Sequence, residues 1–337
     1  MRLRRLIEAG ILSFAVVLAV PTASSAQTVL KFHHDLPEDT AQHVAAERFA
    51  ELVAERTDGA VEVKIFPNNQ LADDVQALQQ MQFGAIEGGI IPTAKMSGFE
   101  PAMQLPDLPF LFPTPQIAHK FLDGDVGQQL LGKLESQGVV GVTFWESGFK
   151  QFTCNNPVES PTDFKGRKVR VMESPMLVEQ FRAMGASAVP IAFSETYTAL
   201  QQGVVDCQEN PLVSIVNMRF YEVQSNVIVS NHAYLGYALL FSKRWLDQLD
   251  PATRDIVVNT AKEVADFQRE ETARREAKLI EIIDNSQAEL SYLPDENRGA
   301  FEEATRPVHE MFRDEIGSDL LDAAYAEIEK LKQEAGN

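Results

Sequence analysis

Short apolar runs alternate with amphipathic stretches along the chain from Thr28 onwards. Apolar residues at 29–32 and 61–66 predict strands, and the helical spacing at 40–57 predicts a helix between them. Further strands are predicted at 85–91, 139–145, 168–171, 188–190, 204–207, 227–229 and 237–242, and helices at about 115–136, 175–184 and 194–202. This order of strand and helix predicts an α/β class with a largely parallel sheet.

The last third of the chain has a helical pattern. Asp250 and Pro251 form a helix cap followed by proline at the first helical position, and some 33 residues to about Asp284 contain neither glycine nor proline. One long helix is the simplest interpretation. Its packed face comprises Val257, Ala261, Val264 and Phe267. Two more helices are predicted at about 295–312 and 318–333.

The N-terminal stretch has the pattern of a targeting segment. Arg2, Arg4 and Arg5 precede an apolar run at 11–20, which ends in small residues, and this predicts a secretory signal peptide cleaved after about Ala26. The run is about half the ~20 residues that a membrane span needs. We therefore expect an exported mature protein.

The composition of the chain argues against several classes of function. The chain of 337 residues has 30 basic and 49 acidic residues, a formal charge of -19, which argues against nucleic-acid binding. Two cysteines are too few for a cysteine-ligated metal centre. If the ligand is an anion, the cations that hold it must be concentrated locally.

Several sequence motifs typical of enzymes are incomplete or absent. Residues 127–133 match the spacing of a phosphate-binding loop, but Leu134 supplies no hydroxyl and the segment lies within a predicted helix. The sequence has neither a Gly-x-Ser-x-Gly nor a His-Glu-x-x-His motif. His33, His34 and Asp35 could ligate a metal, but adjacent strand residues point to opposite faces, so a hydrogen-bonded strand end is the simpler interpretation. We expect no metal, no cofactor and no catalytic activity.

Cations and an amide stand near the ends of predicted strands between residues 145 and 211. Lys150, Arg170 and Asn210 occupy such positions, where open α/β sheets place ligands. The alternative for Arg170 is a surface ion pair on a basic strand, and for Lys150 a solvated side chain.

Three segments carry a specific pattern. They are Trp145-Glu-Ser-Gly-Phe-Lys150, Phe164-Lys-Gly-Arg-Lys-Val-Arg170-Val, and Phe193-Ser-Glu followed by Ala-Leu-Gln and Asp206-Cys-Gln-Glu-Asn210-Pro211. Together with the turn Phe66-Pro-Asn-Asn-Gln70-Leu-Ala-Asp-Asp74, they closely resemble the DctP-type, C4-dicarboxylate-binding solute-binding proteins of TRAP (tripartite ATP-independent periplasmic) transporters. The resemblance covers essentially the whole mature chain.

The resemblance implies a two-lobed periplasmic-binding-protein fold with a hinge and a long helix spanning both lobes. Lobe I would comprise 27–147 plus about 236–275, and lobe II 148–235 plus about 276–337. It implies a periplasmic protein that captures a small organic acid anion, a C4-dicarboxylate or a related carboxylate, and delivers it to a TRAP membrane permease. The alternatives are a sensory ligand-binding protein of the same fold and, with less support, an exported enzyme acting on an acidic substrate. The long helix leaves a homodimer possible.

The resemblance also implies which residues bind the ligand. Arg170 matches an arginine that holds the ligand carboxylate with two parallel donors. Lys150 stands where many relatives carry a second arginine, so a hold through one donor on a second carboxylate or a hydroxyl is expected. Asn210 matches an amide that hydrogen-bonds the same carboxylate, and Phe193 an apolar wall. The remaining candidate ligand-binding residues are Asp35, Asp74 and His34, with Trp145 near the cleft entrance.

Two positions depart from relatives. Pro92 stands where relatives that bind sugar acids often carry a polar group, which favours a simpler, shorter acid. Cys207 occupies a position that is usually glycine. Export permits a disulfide between Cys154 and Cys207, and two buried free thiols are the alternative.

Overall fold

The computed structural model describes residues 27–335, which form one nine-stranded sheet with helices packed against it. The predicted signal peptide, at 1–26, lies outside the described residues. The strands are β1 (Thr28–His33), β2 (Val61–Phe66), β3 (Gly88–Pro92), β4 (Val139–Cys154), β5 (Lys168–Val171), β6 (Ser187–Pro190), β7 (Cys207–Pro211), β8 (Asn226–Ser242) and β9 (Glu289–Tyr292). The predicted α/β class is confirmed.

Twelve α-helices are described within 27–335, along with short 3-10 segments such as Thr93–Met96 and Pro101–Asp107. The helices are α1 (Ala41–Arg56), α2 (Asp74–Phe83), α3 (Pro115–Asp123), α4 (Asp125–Lys133), α5 (Pro175–Ala183), α6 (Thr196–Gln201), α7 (Leu212–Asn217), α8 (Lys243–Leu246), α9 (Pro251–Asp284), α10 (Asp295–Met311), α11 (Arg313–Ile316) and α12 (Ser318–Ala335). No helix among these described residues is both long enough and apolar enough to cross a membrane.

Two long central strands join the ends of the sheet. Its order is β2-β1-β3-β8-β4-β7-β5-β6, with β9 pairing β8. The outer groups, β2-β1-β3 and β7-β5-β6, are parallel, whereas β4 and β8 run antiparallel to each other through the middle. The two central strands, β4 with 16 residues and β8 with 17, therefore connect the two parallel groups.

These central strands are longer than the apolar pattern predicts. The strand predicted at 139–145 continues to Cys154, and the two predicted at 227–229 and 237–242 are one strand. Polar residues and a glycine interrupt the pattern, and the β4–β8 ladder shifts register at three places, one of them between Glu146 and Gly148. A bulge keeps the strand continuous while changing which side chains face the interior.

The helix predicted over 115–136 is two helices, α3 and α4, which meet at Gly124. Gly127 lies in α4, and a Cβ there would fall 1.9 Å from the carbonyl oxygen of Leu122. This glycine is explained by close packing of the two helices, so the spacing that resembles a phosphate-binding loop has a structural cause.

The predicted long helix is confirmed as α9, and Asp250 caps it by accepting from the backbone N–H groups of Ala252 and Thr253. It packs against α1, β4 and α7, elements from both ends of the sheet. The lobe boundaries stay a prediction. Because α12 packs on α3 and α4 while α10 packs on α5, we expect residues 318–335 to move with lobe I.

A disulfide links the middle of the sheet to one of its parallel groups. Cys154 on β4 and Cys207 on β7 are directly opposite each other, with 4.1 Å between their Cα atoms and an S–S distance of 2.10 Å. Both are fully buried. Of the two alternatives left open by the sequence, the structure has the bridge.

Candidate functional site

Arg170 lies on β5 with its side chain completely buried, which rules out the alternative of a surface ion pair. Its Nε and Nη2 atoms both donate to the carbonyl oxygen of Ile191, at 2.9 and 2.7 Å. Nη1 has no partner in the protein. Burial lowers the pKa of Arg170 to about 10, against the opposing effect of the carboxylates of Glu173, Glu209 and Asp35. The guanidinium is thus held by one edge and has free donors on the other.

Lys150 belongs to a buried group of four side chains, which we call the ammonium network: Lys150, Asp107, Glu209 and His232. The Lys150 Nζ atom lies 3.1 Å from Glu209 and 3.4 Å from Asp107. His232 Nε2 donates to the other oxygen of Glu209 at 2.7 Å. The Lys150 charge therefore already has two carboxylate partners from within the protein.

The two carboxyl groups of this network differ in proton affinity. Burial raises the pKa of Asp107 to about 6, and the favourable effects of Lys150 and Thr93 offset this only in part. Burial also disfavours the charged form of Glu209, but Lys150 and His232 outweigh it and lower the pKa of Glu209 to about 2. One ammonium group thus stabilises one carboxylate fully and the other incompletely.

Replacing Asp107 by asparagine should flatten the dependence of stability on pH. A raised pKa means that folded Asp107 binds its proton more tightly than the unfolded chain, so its contribution to stability is full below pH 3.8 and is lost as the pH rises through about 6. On acidification from pH 7.5 to 5 the wild type should gain about 1 kcal/mol that Asp107→Asn does not. Urea unfolding of ligand-free protein at both pH values measures this difference.

The matched control is Asp255→Asn, an exposed carboxyl on α9. Its unfolding free energy should follow the wild type at both pH values. Parallel curves for Asp107→Asn and the wild type would contradict the raised proton affinity of Asp107.

A second polar group lies at the carboxyl ends of β1 and β3, and we call it the first-lobe cluster: Asp35, Asp74, Lys95, His33 and Tyr237. Lys95 Nζ binds Asp74 at 2.7 Å, His33 Nε2 lies 3.3 Å from Asp74, and the Tyr237 hydroxyl donates to Asp35 at 3.1 Å. Burial and the charge of Asp74 raise the pKa of Asp35 to about 8. The cluster brings together Asp35 and Asp74, both predicted site residues.

Lys95 links the first-lobe cluster to the segment that directly follows β5, the strand of Arg170. Its Nζ atom lies 3.8 Å from a carboxylate oxygen of Glu173, which follows Arg170 by three residues. Burial disfavours its charge, but Asp74, Asp35 and Glu173 together raise the pKa of Lys95. Lys95 is not among the predicted site residues, although it stands three residues after a buried strand, where ligand-binding side chains collect in α/β sheets.

The side-chain hydrogen-bond partner of His34 lies outside these two groups. Its Nε2 atom pairs with Nδ1 of His43 on α1 at 3.0 Å, and burial lowers the pKa of His34 to about 3. No group of three or more potential metal ligands occurs within residues 27–335.

Asn210 and Phe193 are both buried near the ends of the elements that carry them. Asn210 on β7 donates to the side-chain oxygen of Gln208 at 2.6 Å. Phe193 is 5% exposed and meets the ring of Phe220 edge-on. Their contact with a ligand stays a prediction.

Trp145 is placed differently from the sequence prediction. It is completely buried on the central strand β4 and packs against Phe32, with ring centroids 6.0 Å apart. It is an interior side chain, with no exposed surface at a cleft entrance. Its indole N–H has no protein partner.

A cavity of about 400 Å³ does not have Arg170 among its lining residues. It is lined by residues of α3, β4, α7 and α9, among them His119, Glu146, Leu212, Thr272 and Arg275. None of the predicted ligand-binding residues lines it. Since Arg170 supplies an unpartnered buried cationic donor, we place the candidate anion site there and not in this cavity.

Comparison with known proteins gives consistent matches over most of the chain. Residues 32–315 match the model for bacterial extracellular solute-binding protein, family 7. The chain is 35% identical over 330 residues to the C4-dicarboxylate-binding periplasmic protein DctP of Rhodobacter capsulatus, covering 96% of this chain and 98% of that protein. It is 34% identical over 316 residues to the 2,3-diketo-L-gulonate-binding periplasmic protein YiaO of Escherichia coli, covering 93% and 96%.

Solved structures match equally well. The sugar acid binding protein of Advenella mimigardefordensis, in complex with galactonate, superposes with a TM-score of 0.87 at 32% identity, covering 90% of this chain and 98% of that one. A TRAP periplasmic solute-binding protein of Shewanella oneidensis, with bound succinate, gives a TM-score of 0.87 at 33% identity, covering 90% and 100%.

Proposed function

The chain belongs to the bacterial extracellular solute-binding proteins of family 7, and from this premise we propose that it holds the carboxylate of a small organic acid on Arg170. It is a DctP-type solute-binding protein of a TRAP transporter and not an enzyme. Its function is to capture an organic acid for a membrane permease. Periplasmic location follows from the family, and cleavage after about Ala26 is part of the proposal.

One observation carries the assignment of the site. Arg170 is fully buried, two of its nitrogen atoms are fixed by Ile191, and Nη1 is unpartnered. A buried donor without a partner is costly, and a ligand carboxylate would satisfy it through two parallel hydrogen bonds. Fixing the guanidinium in advance reduces the ordering that binding requires.

Other residues complete the proposed site. Asn210 would donate to the carboxylate held by Arg170, and Phe193 would cover the carbon chain. Asp35, Asp74 and His34 would contribute from lobe I, and Trp145 from the central strand. Lys150 already binds Asp107 and Glu209. We therefore propose that it affects the ligand indirectly, through these two carboxylates and through β4, the strand on which it lies.

We propose that a single chain forms the complete site. Arg170, Asn210 and the first-lobe cluster all come from one polypeptide, so ligand capture needs no second copy. A homodimer through α9 is therefore not required for binding. Sedimentation of the ligand-free and ligand-bound protein checks its oligomeric state.

A thermal-melt panel tests the proposed function. Protein that has been unfolded, stripped of ligand and refolded should be melted with carboxylic acids and with their neutral amides. A ligand at a thousand times its dissociation constant adds ~4 kcal/mol to the folded state, so the midpoint should rise by several degrees with an acid. The amides serve as the matched control and should give no shift.

The same panel separates this function from the enzyme alternative. Equal shifts for acids and amides would remove the carboxylate from the recognition step. Conversion of the acid during incubation would support an enzyme, whereas recovery of unchanged acid from heat-denatured protein supports binding.

A further inference from the structure

The cations near the proposed site differ in whether the protein already neutralises them. Lys95 faces Asp74 at 2.7 Å and Glu173 at 3.8 Å. Lys150 faces Glu209 and Asp107, as described above. Each lysine therefore has two carboxylate neighbours. Among the cations of this region, Arg170 has a guanidinium nitrogen without a protein partner.

Acidic side chains lie near Arg170. Asp35, Glu173 and Glu209 each interact electrostatically with Arg170, and Asp35 also interacts with Asp74. Asp35 and Asp74 lie on the lobe I side, and Glu173 follows Arg170's own strand. A ligand held by one carboxylate on Arg170 would point its other end towards these acidic side chains.

A second carboxylate is poorly suited to such surroundings. Like charges a few ångströms apart repel strongly in a buried site, and both lysines that could offset this are already paired. A hydroxyl group fits better, because it donates to a carboxylate and accepts from an ammonium group at the same time. Asp74 and Glu173 supply acceptors, Lys95 supplies N–H donors, and Asp35, with its pKa raised to about 8, supplies an O–H donor at neutral pH.

The buried Ser174 strengthens this interpretation. It is 2% exposed, lies next to Glu173, and its hydroxyl has no hydrogen-bond partner in the protein. An unpartnered buried hydroxyl beside the acidic group is a further place for a neutral polar ligand group. Pro92 offers a ligand no polar side chain. Lys95, three residues later, supplies a polar group for the ligand instead.

We infer that the ligand is a hydroxylated monocarboxylic acid, whose single carboxylate binds Arg170 and whose hydroxyl groups bind Lys95, Asp74, Asp35 and Glu173. This inference rests on the proposed function and goes beyond it by excluding dicarboxylates as the preferred ligands. It assigns Lys95 and Glu173 as specificity-determining residues.

Acids of matched carbon number test the inference by calorimetric titration of the refolded, ligand-stripped full mature chain. The four-carbon set is butyrate, succinate, malate and 2,3,4-trihydroxybutyrate, and the six-carbon pair is galactonate and its diacid galactarate. In at least one of these sets the hydroxylated monoacid should bind about tenfold or more tightly than the diacid, because the second carboxylate of the diacid would lie close to acidic side chains. Butyrate should bind more weakly than trihydroxybutyrate.

Each other outcome overturns a defined statement. If the diacid binds as tightly as the matched hydroxylated monoacid in every set that binds, the inference is wrong while the proposed function stands. If none of these acids binds, the proposed function and the inference both fail. Tight binding of butyrate, equal to that of trihydroxybutyrate, would show that hydroxyl groups are not read.

Glu173→Gln provides a test within the protein. Glu173 is 40% exposed, so the variant should fold, and removal of its charge should narrow the preference for the monoacid over the diacid at least severalfold. Glu303→Gln, an exposed carboxyl on α10, makes the same chemical change away from the site and should keep the wild-type ratio. An unchanged ratio in Glu173→Gln would remove Glu173 from the specificity assignment.

Discussion

Arg170→Ala should weaken binding of the acid ligand by ~2 to 5 kcal/mol, which is about 30-fold to several thousand-fold in the dissociation constant. The reason is that the ligand carboxylate would remain in a buried site with no cationic partner, among acidic side chains. The free Nη1 and the second N–H of Nη2 are the donors that would be lost. Titration calorimetry of the ligand-stripped variant measures the loss.

Two further variants make this test specific. Lys168→Ala removes an exposed cation from the same strand and should leave the affinity within a factor of about three, because exposed charges contribute little. Arg170→Lys keeps the charge but loses the fixed fork and should fall between the wild type and the alanine variant. Wild-type affinity in Arg170→Ala, with a normal melting curve, would remove Arg170 from the site.

Glu209→Gln should lower the unfolding free energy by ~3 to 5 kcal/mol, because it removes one partner of a buried ion pair. Lys150 is 0% exposed and would keep only Asp107, whose own pKa is raised. His232 would also lose the carboxylate to which it donates at 2.7 Å. Urea unfolding of the ligand-free protein at pH 7.5 measures the loss.

The matched control is Glu222→Gln. Glu222 pairs with Arg219 at 2.8 Å, but both side chains are partly or largely exposed, so the change should cost less than about 1 kcal/mol. Replacing Lys150 by methionine together with Glu209 by leucine should cost less than the sum of the two single changes, because neither member of this pair is then left without the other. A loss below 1 kcal/mol for Glu209→Gln would contradict the ion-pair argument.

Local pattern sufficed for most of the fold. The apolar runs predicted the strands β1, β2 and β5, and the absence of glycine and proline after Pro251 predicted α9. The central strands were predicted too short because residues 146–148 break the apolar pattern, and a bulge there is visible only once the neighbouring strand is in place. Strand order is likewise a long-range property.

The sequence predicted the position of Arg170 near the end of a buried strand, and its ligand-binding role, which the family resemblance implies, stays a prediction. A planar guanidinium fits a carboxylate, but residue type alone left a surface ion pair as the alternative, which the burial of Arg170 excludes. The pairing of Lys150 with Asp107 and Glu209, which are 43 and 59 residues away in sequence, is fixed by tertiary packing and leaves no local pattern. The contact of Lys150 with the ligand, which the resemblance implies, stays a prediction, and for the same reason the sequence did not indicate the pairing of Lys95 with Asp74.

The disulfide between β4 and β7 can form only at a defined stage of the protein's maturation. The bacterial cytosol keeps thiols reduced, so Cys154 and Cys207 can join only after the polypeptide has been exported. Before that step the chain lacks the constraint that a bond across 53 residues places on its unfolded state. The newly made polypeptide is therefore easier to keep unfolded for translocation, and the protein becomes more resistant to unfolding in the compartment where it works.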